Sequence, residues 1–233
     1  MAGLVMPSCR RLRCYMAKII TVANLKGGVG KSTLSTNIAC ALAGGRKVTL
    51  VDADDHQATS WWGRKAPPPV PVISARFDTE DETSWAQGVL GLDGDLVVVD
   101  VGGGQVKAVT IAMTIADLVV IPCPPTPVDI KTAKDTVGLL AEVRGRRKDG
   151  GPDALLVPNR VDRRRAAGRE IEAALHRLRQ PVGTAIMERA AFADAFGETS
   201  WIGDFAPRSA GYHEVAALVA IIKGQLWSAS EAA

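Results

Sequence analysis

Lys26-Gly27-Gly28-Val29-Gly30-Lys31-Ser32-Thr33 decides how this 233-residue chain is read. An apolar run, Ile19 to Ala23, precedes it and reads as a buried strand; Leu34 to Ala43 follows and reads as a helix. Strand, glycine loop, Lys-Ser and helix together form the setting of a phosphate-binding loop. Glycine lets the backbone turn tightly and brings several N–H groups to one anion. The helix N-terminus adds partial positive charge at the same place. Gly27, Gly28, Val29, Gly30 and Thr33 would complete this cradle, Lys31 would reach the β- and γ-phosphates, and the Ser32 hydroxyl would hold Mg²⁺.

Outward from the loop, short apolar runs alternate with helical patterns. Strands are expected at 18–24, 48–51, 70–74, 96–99, 118–121, 154–157 and 182–187. Helices are expected at 34–43, 58–65, 80–90, from the Gly102-Gly103-Gly104 turn to about Ile115, at 130–143, 165–179, 189–196 and about 211–227. Pro67-Pro68-Pro69 should stop the second helix, and Pro122–Pro127 should form a proline-rich loop. Continuous apolar strands alternating with helices predict an α/β fold: a doubly wound, mostly parallel sheet with helices on both faces, a P-loop NTPase. Residues 16–233 form one domain in this reading, and residues 1–15 a disordered extension ahead of the natural-looking start at Met16.

Composition fits that picture. Hydrophobic residues make up 47% and charged residues 23%, as in an ordinary globular protein. No apolar run is long enough to span a bilayer. Arg10, Arg11 and Arg13 lack the apolar stretch that a signal peptide places after its charges. Cys9, Cys14, Cys40 and Cys123 show no metal-type spacing and fit reduced thiols in a cytosolic protein. A net charge of +3 permits contact with nucleic acid without demanding it.

In doubly wound sheets ligands sit at the carboxyl ends of the strands. Asp100 closes Leu96–Val99 there and can hold the Mg²⁺ shell. Its glycines free the backbone to respond to a γ-phosphate. Asp52 and Asp54 end the second strand, where one carboxylate can support Mg²⁺ and the other orient water.

The standard pattern G-x-x-x-x-G-K-[ST] fails by one residue, because position 25 is Leu. What stands instead, with Lys26 at its head, resembles the deviant Walker A motif of the ParA/MinD family of ATPases. Asp52 and Asp54 match the family's Asp-x-Asp-Pro-Gln, while Asp55 and His56 replace the Pro-Gln pair. Asp117-Leu-Val-Val-Ile-Pro-Cys-Pro-Pro-Thr-Pro-Val-Asp129 resembles the family's strand and Pro-rich loop; Pro158-Asn159-Arg160 stands where members place residues against adenine; and 206–214 resembles their C-terminal segment. The likeness covers nearly everything from Met16 and is greatest with the small, ParF-like partition ATPases.

That resemblance implies ATP and Mg²⁺ as cofactors and an ATP-closed homodimer, with Lys26 reaching the partner's phosphates, Asp54 positioning the attacking water, and Ser32, Asp52 and Asp100 around the metal. It implies catalysis by Lys26, Lys31 and Asp54, and nucleotide contacts from Asn159 and Arg160. It further implies sequence-independent DNA binding, hydrolysis that is weak alone and stimulated by a small centromere-binding (ParB/ParG-like) protein, plasmid or chromosome segregation, and a cytoplasmic, nucleoid-associated life. Arg189 and Arg208 fall near where relatives carry DNA-contacting arginines. Two basic groups, Arg144-Arg146-Arg147-Lys148 and Arg163-Arg164-Arg165, could add phosphate contacts.

Alternatives stay open. The same chemistry would serve a ParA-like ATPase that positions another cargo, such as a chemoreceptor cluster, or conjugative DNA transfer. A MinD-like membrane-cycling ATPase needs a basic amphipathic C-terminal helix, and the tail after Ile222 offers only Lys223, so no stable membrane association is expected. A non-hydrolysing scaffold and an iron–sulfur reductase of the same superfamily complete the set.

Overall fold

The computed structural model describes residues 17–65 and 69–227. The expected extension at 1–15, and Pro67 and Pro68 of the triple-proline stop, lie outside the described residues. The strands are β1 (Lys18–Val22), β2 (Val48–Ala53), β3 (Val72–Ser74), β4 (Leu96–Val101), β5 (Leu118–Cys123) and β6 (Asp153–Pro158). The helices are α1 (Lys31–Leu42), α2 (Ala58–Lys65), α3 (Glu82–Leu90), α4 (Val106–Ile115), α5 (Pro127–Arg146), α6 (Ala166–His176), α7 (Ala190–Gly197), α8 (Ile202–Phe205) and α9 (Ala210–Leu226).

All six strands run parallel, in the order β3-β2-β4-β1-β5-β6. Both faces are covered, which is why the central strands read as mostly continuous apolar runs rather than alternating ones. Ile19, Val97, Val119 and Leu156 face a core closed by α3 to α6. Ile20, Val98, Val120 and Leu155 face one closed by α1, α2 and α7 to α9. Strand β1 lies centrally between β4 and β5, so the glycine loop that follows it opens at the switch point of the sheet.

Local chemistry sets the helix starts. Thr126 caps α5, its hydroxyl accepting from Asp129 N at 3.2 Å, and Pro127 supplies the first helical position with φ already fixed. The helix therefore begins three residues ahead of the expected Ile130, and Pro122 and Cys123 belong to β5 rather than to a loop. Helix α1 likewise starts at Lys31, which puts Lys31, Ser32 and Thr33 on its first turn.

One expected strand is absent. Residues 182–187 meet the β6 edge and the turn after it at two isolated bridges, Leu156 to Val182 and Val161 to Met187, with Ile186 N donating to Pro158 O at 2.8 Å between them, and no continuous ladder forms. Gly183 N still donates to Leu156 O at 2.8 Å, and a Cβ on Gly183 would come within 3.1 Å of Leu218. The four-residue α8 was too short to leave a periodic signal.

Candidate nucleotide site

Asn24 shapes the exit from β1. Its side chain donates to Pro122 O at 2.9 Å and accepts from Lys26 N at 2.9 Å, fixing the loop against β5. The backbone then passes through Gly28 (φ 75°) and Gly30 (φ 92°), conformations that side-chain-bearing residues rarely adopt. The amide of buried Asn159, at the end of β6, donates to Val29 O at 2.8 Å. Asn159 thus braces the loop from the side on which a base would lie.

On the other side the loop after β4 presses in. A Cβ on Gly103 would stand 2.5 Å from Gly27 N, and Gly104 N donates to Leu25 O at 2.9 Å. Only glycine allows this approach, so any displacement of the 102–104 turn is felt at once by the loop at 26–28.

The loop floors a cavity of about 440 Å³ lined by Gly27, Gly28, Gly30, Lys31, Ser32, Thr33, Asp54, His56, Gly103 and Arg160. A second cavity of about 280 Å³ shares Gly27, Gly28 and Arg160 with it and extends to Pro124, Thr126, Asp162 and Arg165. A basic loop at one end and an apolar-to-polar trough at the other suit a nucleoside phosphate. Arg160 lines both cavities and holds φ at 52°, an unfavourable backbone state for an arginine.

The two lysines have different surroundings. Lys31 is 6% exposed, and its ammonium donates to Lys26 O at 2.9 Å. Burial lowers its pKa, while Asp100 and Asp54 act in the opposite direction. Lys26 stands at the rim with its side chain 40% exposed, 2.6 Å from the buried carboxylate of Asp129.

The carboxylates divide similarly. Asp52 and Asp100 are direct neighbours across β2 and β4, and both are buried. Asp100 accepts from Ser35 Oγ at 3.1 Å and Thr59 Oγ1 at 2.5 Å. Desolvation pushes its pKa up to about 6; Asp52 adds to the rise, and Thr59, Ser32 and Lys31 oppose it. Asp52 gives one oxygen to Asp54 N (3.1 Å) and the other to Ser60 N (2.6 Å). Its immediate task is to hold the β2–α2 turn. Asp54 lies half-buried at the cavity wall, where one oxygen accepts from His56 N at 3.0 Å and faces His56 Nδ1 at 3.0 Å.

Among the described residues no group of three or more His, Cys, Asp or Glu forms a metal cage. Mg²⁺ keeps several waters and takes one or two protein ligands beside phosphate oxygens. Ser32 and Asp100 fit that role, because a buried carboxylate with a raised pKa gains most from a neighbouring cation. Cys40 and Cys123 are free and buried, and burial pushes both thiols up to about 12, where they are poor ligands and nucleophiles.

The arginines divide the basic surface. Arg189 is held by Glu214, with Nη2 to Oε1 at 2.5 Å and Nε at 3.2 Å. Its side chain is 35% exposed, and a phosphate contact from it would have to compete with Glu214. Arg163 pairs with Glu172, and Arg164 and Arg165 pair with Asp162. Arg208, at φ 64° just ahead of α9, is exposed with no ion pair among the described residues. Sequence reading missed the support from Asn24, Ser35 and Thr59. Single polar residues at strand and helix ends carry no periodic signal, although Asp129 did close a quoted stretch.

Residues 20–200 match the model of the CobQ/CobB/MinD/ParA nucleotide binding domain. The maintenance of carboxysome distribution protein A of Halothiobacillus neapolitanus is 34% identical over 186 residues, covering 77% of this chain and 83% of that one. Protein ParA of Rhizobium radiobacter is 31% identical over 125 residues, covering 53% and 56%. The ATP complex of Cyanothece McdA superposes with a TM-score of 0.71 at 15% identity, over 90% of this chain and 96% of the other. Its likeness is one of fold. With the phosphate loop, the all-parallel sheet and these matches in agreement, the chain belongs to the CobQ/CobB/MinD/ParA family of P-loop nucleotide-binding ATPases.

Proposed function

We propose that this protein is a ParA-type ATPase whose ATP-bound form dimerises, binds DNA without sequence preference, and hydrolyses ATP when a partner protein stimulates it. The observation that carries the reading is the contrast between its lysines. Lys31 is buried beneath the phosphate cavity, whereas Lys26 sits half-exposed at the rim, free to exchange Asp129 for an anion presented from outside. A lysine that served only the protein's own nucleotide would need no such exposed position.

In this reading the glycine loop and Lys31 bind the phosphates, and Ser32 with Asp100 hold Mg²⁺, which supplies charge stabilisation on the transferring phosphoryl group. Asp54 orients the attacking water, and Asp52 keeps Asp54 in place through its backbone N–H. Gly103 lies against the loop and passes the occupied state to the 102–104 turn. Asn159 and Arg160 border the base side.

The cargo stands between two choices. The lone rim lysine, the Asp-x-Asp and the C-terminal segment support plasmid or chromosome partition with a small centromere-binding protein. The 34% identity over 83% of a carboxysome-distribution protein favours a second reading, in which the same cycle positions a protein-built cargo over DNA.

Sedimentation with ATP, ADP and no nucleotide tests the reading, alongside phosphate release and binding to random-sequence duplex. Dimers and DNA complexes specific to ATP are expected. Arg208→Ala should weaken binding to all sequences alike, with unchanged ATP affinity. Equal dimerisation and DNA affinity in ATP and ADP would sink it.

A further inference from the structure

The helices that leave the nucleotide end of the sheet carry charge to the opposite end. Helix α5 begins beside the phosphate loop and runs back for 20 residues, roughly 30 Å, to finish before β6. Helix α6 makes the same return, and the chain after it rejoins the β6 edge where Val182 pairs with Leu156. Their C-terminal ends are stitched together by one side chain. Arg144 donates through Nε to Pro152 O at 2.9 Å and through Nη1 to Gln180 Oε1 at 3.0 Å. Arg147 is also committed, to Thr114 O, Ala116 O and Asp149.

Around this brace stand Arg146, Lys148, Arg177 and Arg179, all exposed and none with an ion pair among the described residues. The contrast with Arg163, Arg164 and Arg165, each of which has an acidic partner, is direct. A cation near a helix C-terminus complements the helix dipole. That accounts for one at each end; it does not account for four exposed cations at the same end of the sheet without an ion pair. The neighbouring carboxylates are Asp149, engaged by Arg147, and the exposed Asp153 and Glu142.

We infer that this α5–α6 end is a second polyanion-binding surface, fitted to the phosphates of duplex DNA and independent of the bound nucleotide. Three of its four free cations are arginines, which pair readily with phosphate oxygens. Of the large apolar side chains that are exposed among the described residues, Trp61, Ile73, Val106 and Ile221 lie on other elements and Val128 lies on the first turn of α5, at its opposite end, so the patch offers no such side chain to insert into a lipid surface. Standing at the far end from the phosphate loop, it cannot be switched by closing a dimer over that loop. It would keep the protein loosely on DNA between cycles, while the ATP-dependent contact supplies the tight state. The inference goes beyond the proposed function and does not depend on it.

The test is anisotropy with a random-sequence duplex of roughly 20 base pairs across a salt series, in ADP and in ATP. The probe variant carries Arg146→Ala, Lys148→Ala, Arg177→Ala and Arg179→Ala; Lys148→Glu with Arg179→Glu serves as a second, smaller change. With ADP, wild type should bind at about 50 mM salt with a slope of about −0.9 for each phosphate contacted, and the fourfold variant should lose at least about tenfold in affinity and about two or more of slope. Nucleotide affinity should not move, which also shows that the variants fold. The ATP-dependent gain, and its sensitivity to Arg208→Ala, should survive in the fourfold variant. If wild type shows no ATP-dependent gain, the proposed function fails and this inference stands. Equal ADP-state affinity and slope in wild type and variants would overturn the inference, as would patch-dependent binding to phosphatidylglycerol vesicles that matches binding to DNA.

Discussion

Lys26 and Asp129 meet across 103 residues of sequence at 2.6 Å, joining the head of the phosphate loop to the first turn of α5. The carboxylate is 6% exposed and shared with the Thr126 hydroxyl, so the lysine is the mobile member of the pair. Lys26→Ala should therefore leave the buried Lys31 and its phosphate contacts intact, and nucleotide affinity within about threefold. Its cost to stability should be about 1 kcal/mol or less, as for other partly exposed pairs. ATP-dependent dimerisation should disappear. Titration calorimetry and sedimentation read the two properties separately, and dimers of normal strength would remove Lys26 from the intermolecular role.

Asp54 offers one oxygen to His56 N, and an asparagine can accept the same bond. Asp54→Asn should thus preserve the turn and nucleotide affinity while slowing phosphate release by roughly 10²–10⁴-fold, the usual worth of a positioned proton acceptor. ATP-dependent dimers should accumulate. A variant that turns over at the normal rate would transfer water positioning to another group.

Asp100 gives a pH signature of unusual sign. Its carboxyl has a folded-state pKa of about 6 against 3.8 for a freely solvated aspartate, so the native state holds the proton more tightly than the unfolded chain. Its contribution to stability is complete below about pH 4 and is lost as pH rises through about 6. In nucleotide-free protein, Asp100→Asn should gain stability on the order of 2–3 kcal/mol near pH 7.5 and almost none near pH 4, while Mg²⁺-dependent hydrolysis is lost. Urea unfolding at the two pH values decides it; equal differences at both would refute the assignment.

Gly30 holds φ at 92°, and a Cβ there would stand 2.3 Å from Asn159 Nδ2. Gly30→Ala should cost roughly 1–3 kcal/mol and weaken nucleotide binding at least about tenfold, since both backbone and brace must shift. Gly27→Ala meets nothing within 4 Å and should melt with wild type. A harmless Gly30→Ala would mean that Asn159 yields, and would deny it the bracing role.

The sheet was legible because its strands, among them Leu96–Val101 and Leu118–Cys123, are apolar runs that no amphipathic helix would display. The phosphate loop was legible because its glycines and lysines sit at fixed spacing. The strand expected at 182–187 was misread because its pairing is broken into two isolated bridges, which an apolar run in the sequence does not reveal. The same limit applies to Arg189: its basicity is visible in the chain, and its pairing with Glu214, 25 residues on, is not. Thr59 reaches Asp100 over 41 residues, and no motif spacing could have linked them.

Helix α2 holds the Thr59 hydroxyl on Asp100 and the Ser60 N–H on Asp52 within its first turn. The next residue, Trp61, is 43% exposed and stacks on Phe196 at 6.4 Å. An indole one residue from the groups that bond both acidic strand ends offers a built-in optical gauge: a change in either carboxylate's bonding should be felt in the first turn of α2 and in the emission of Trp61. Emission from the unlabelled protein can therefore time the nucleotide cycle, with Trp61→Phe as the blank that leaves the other four tryptophans in view.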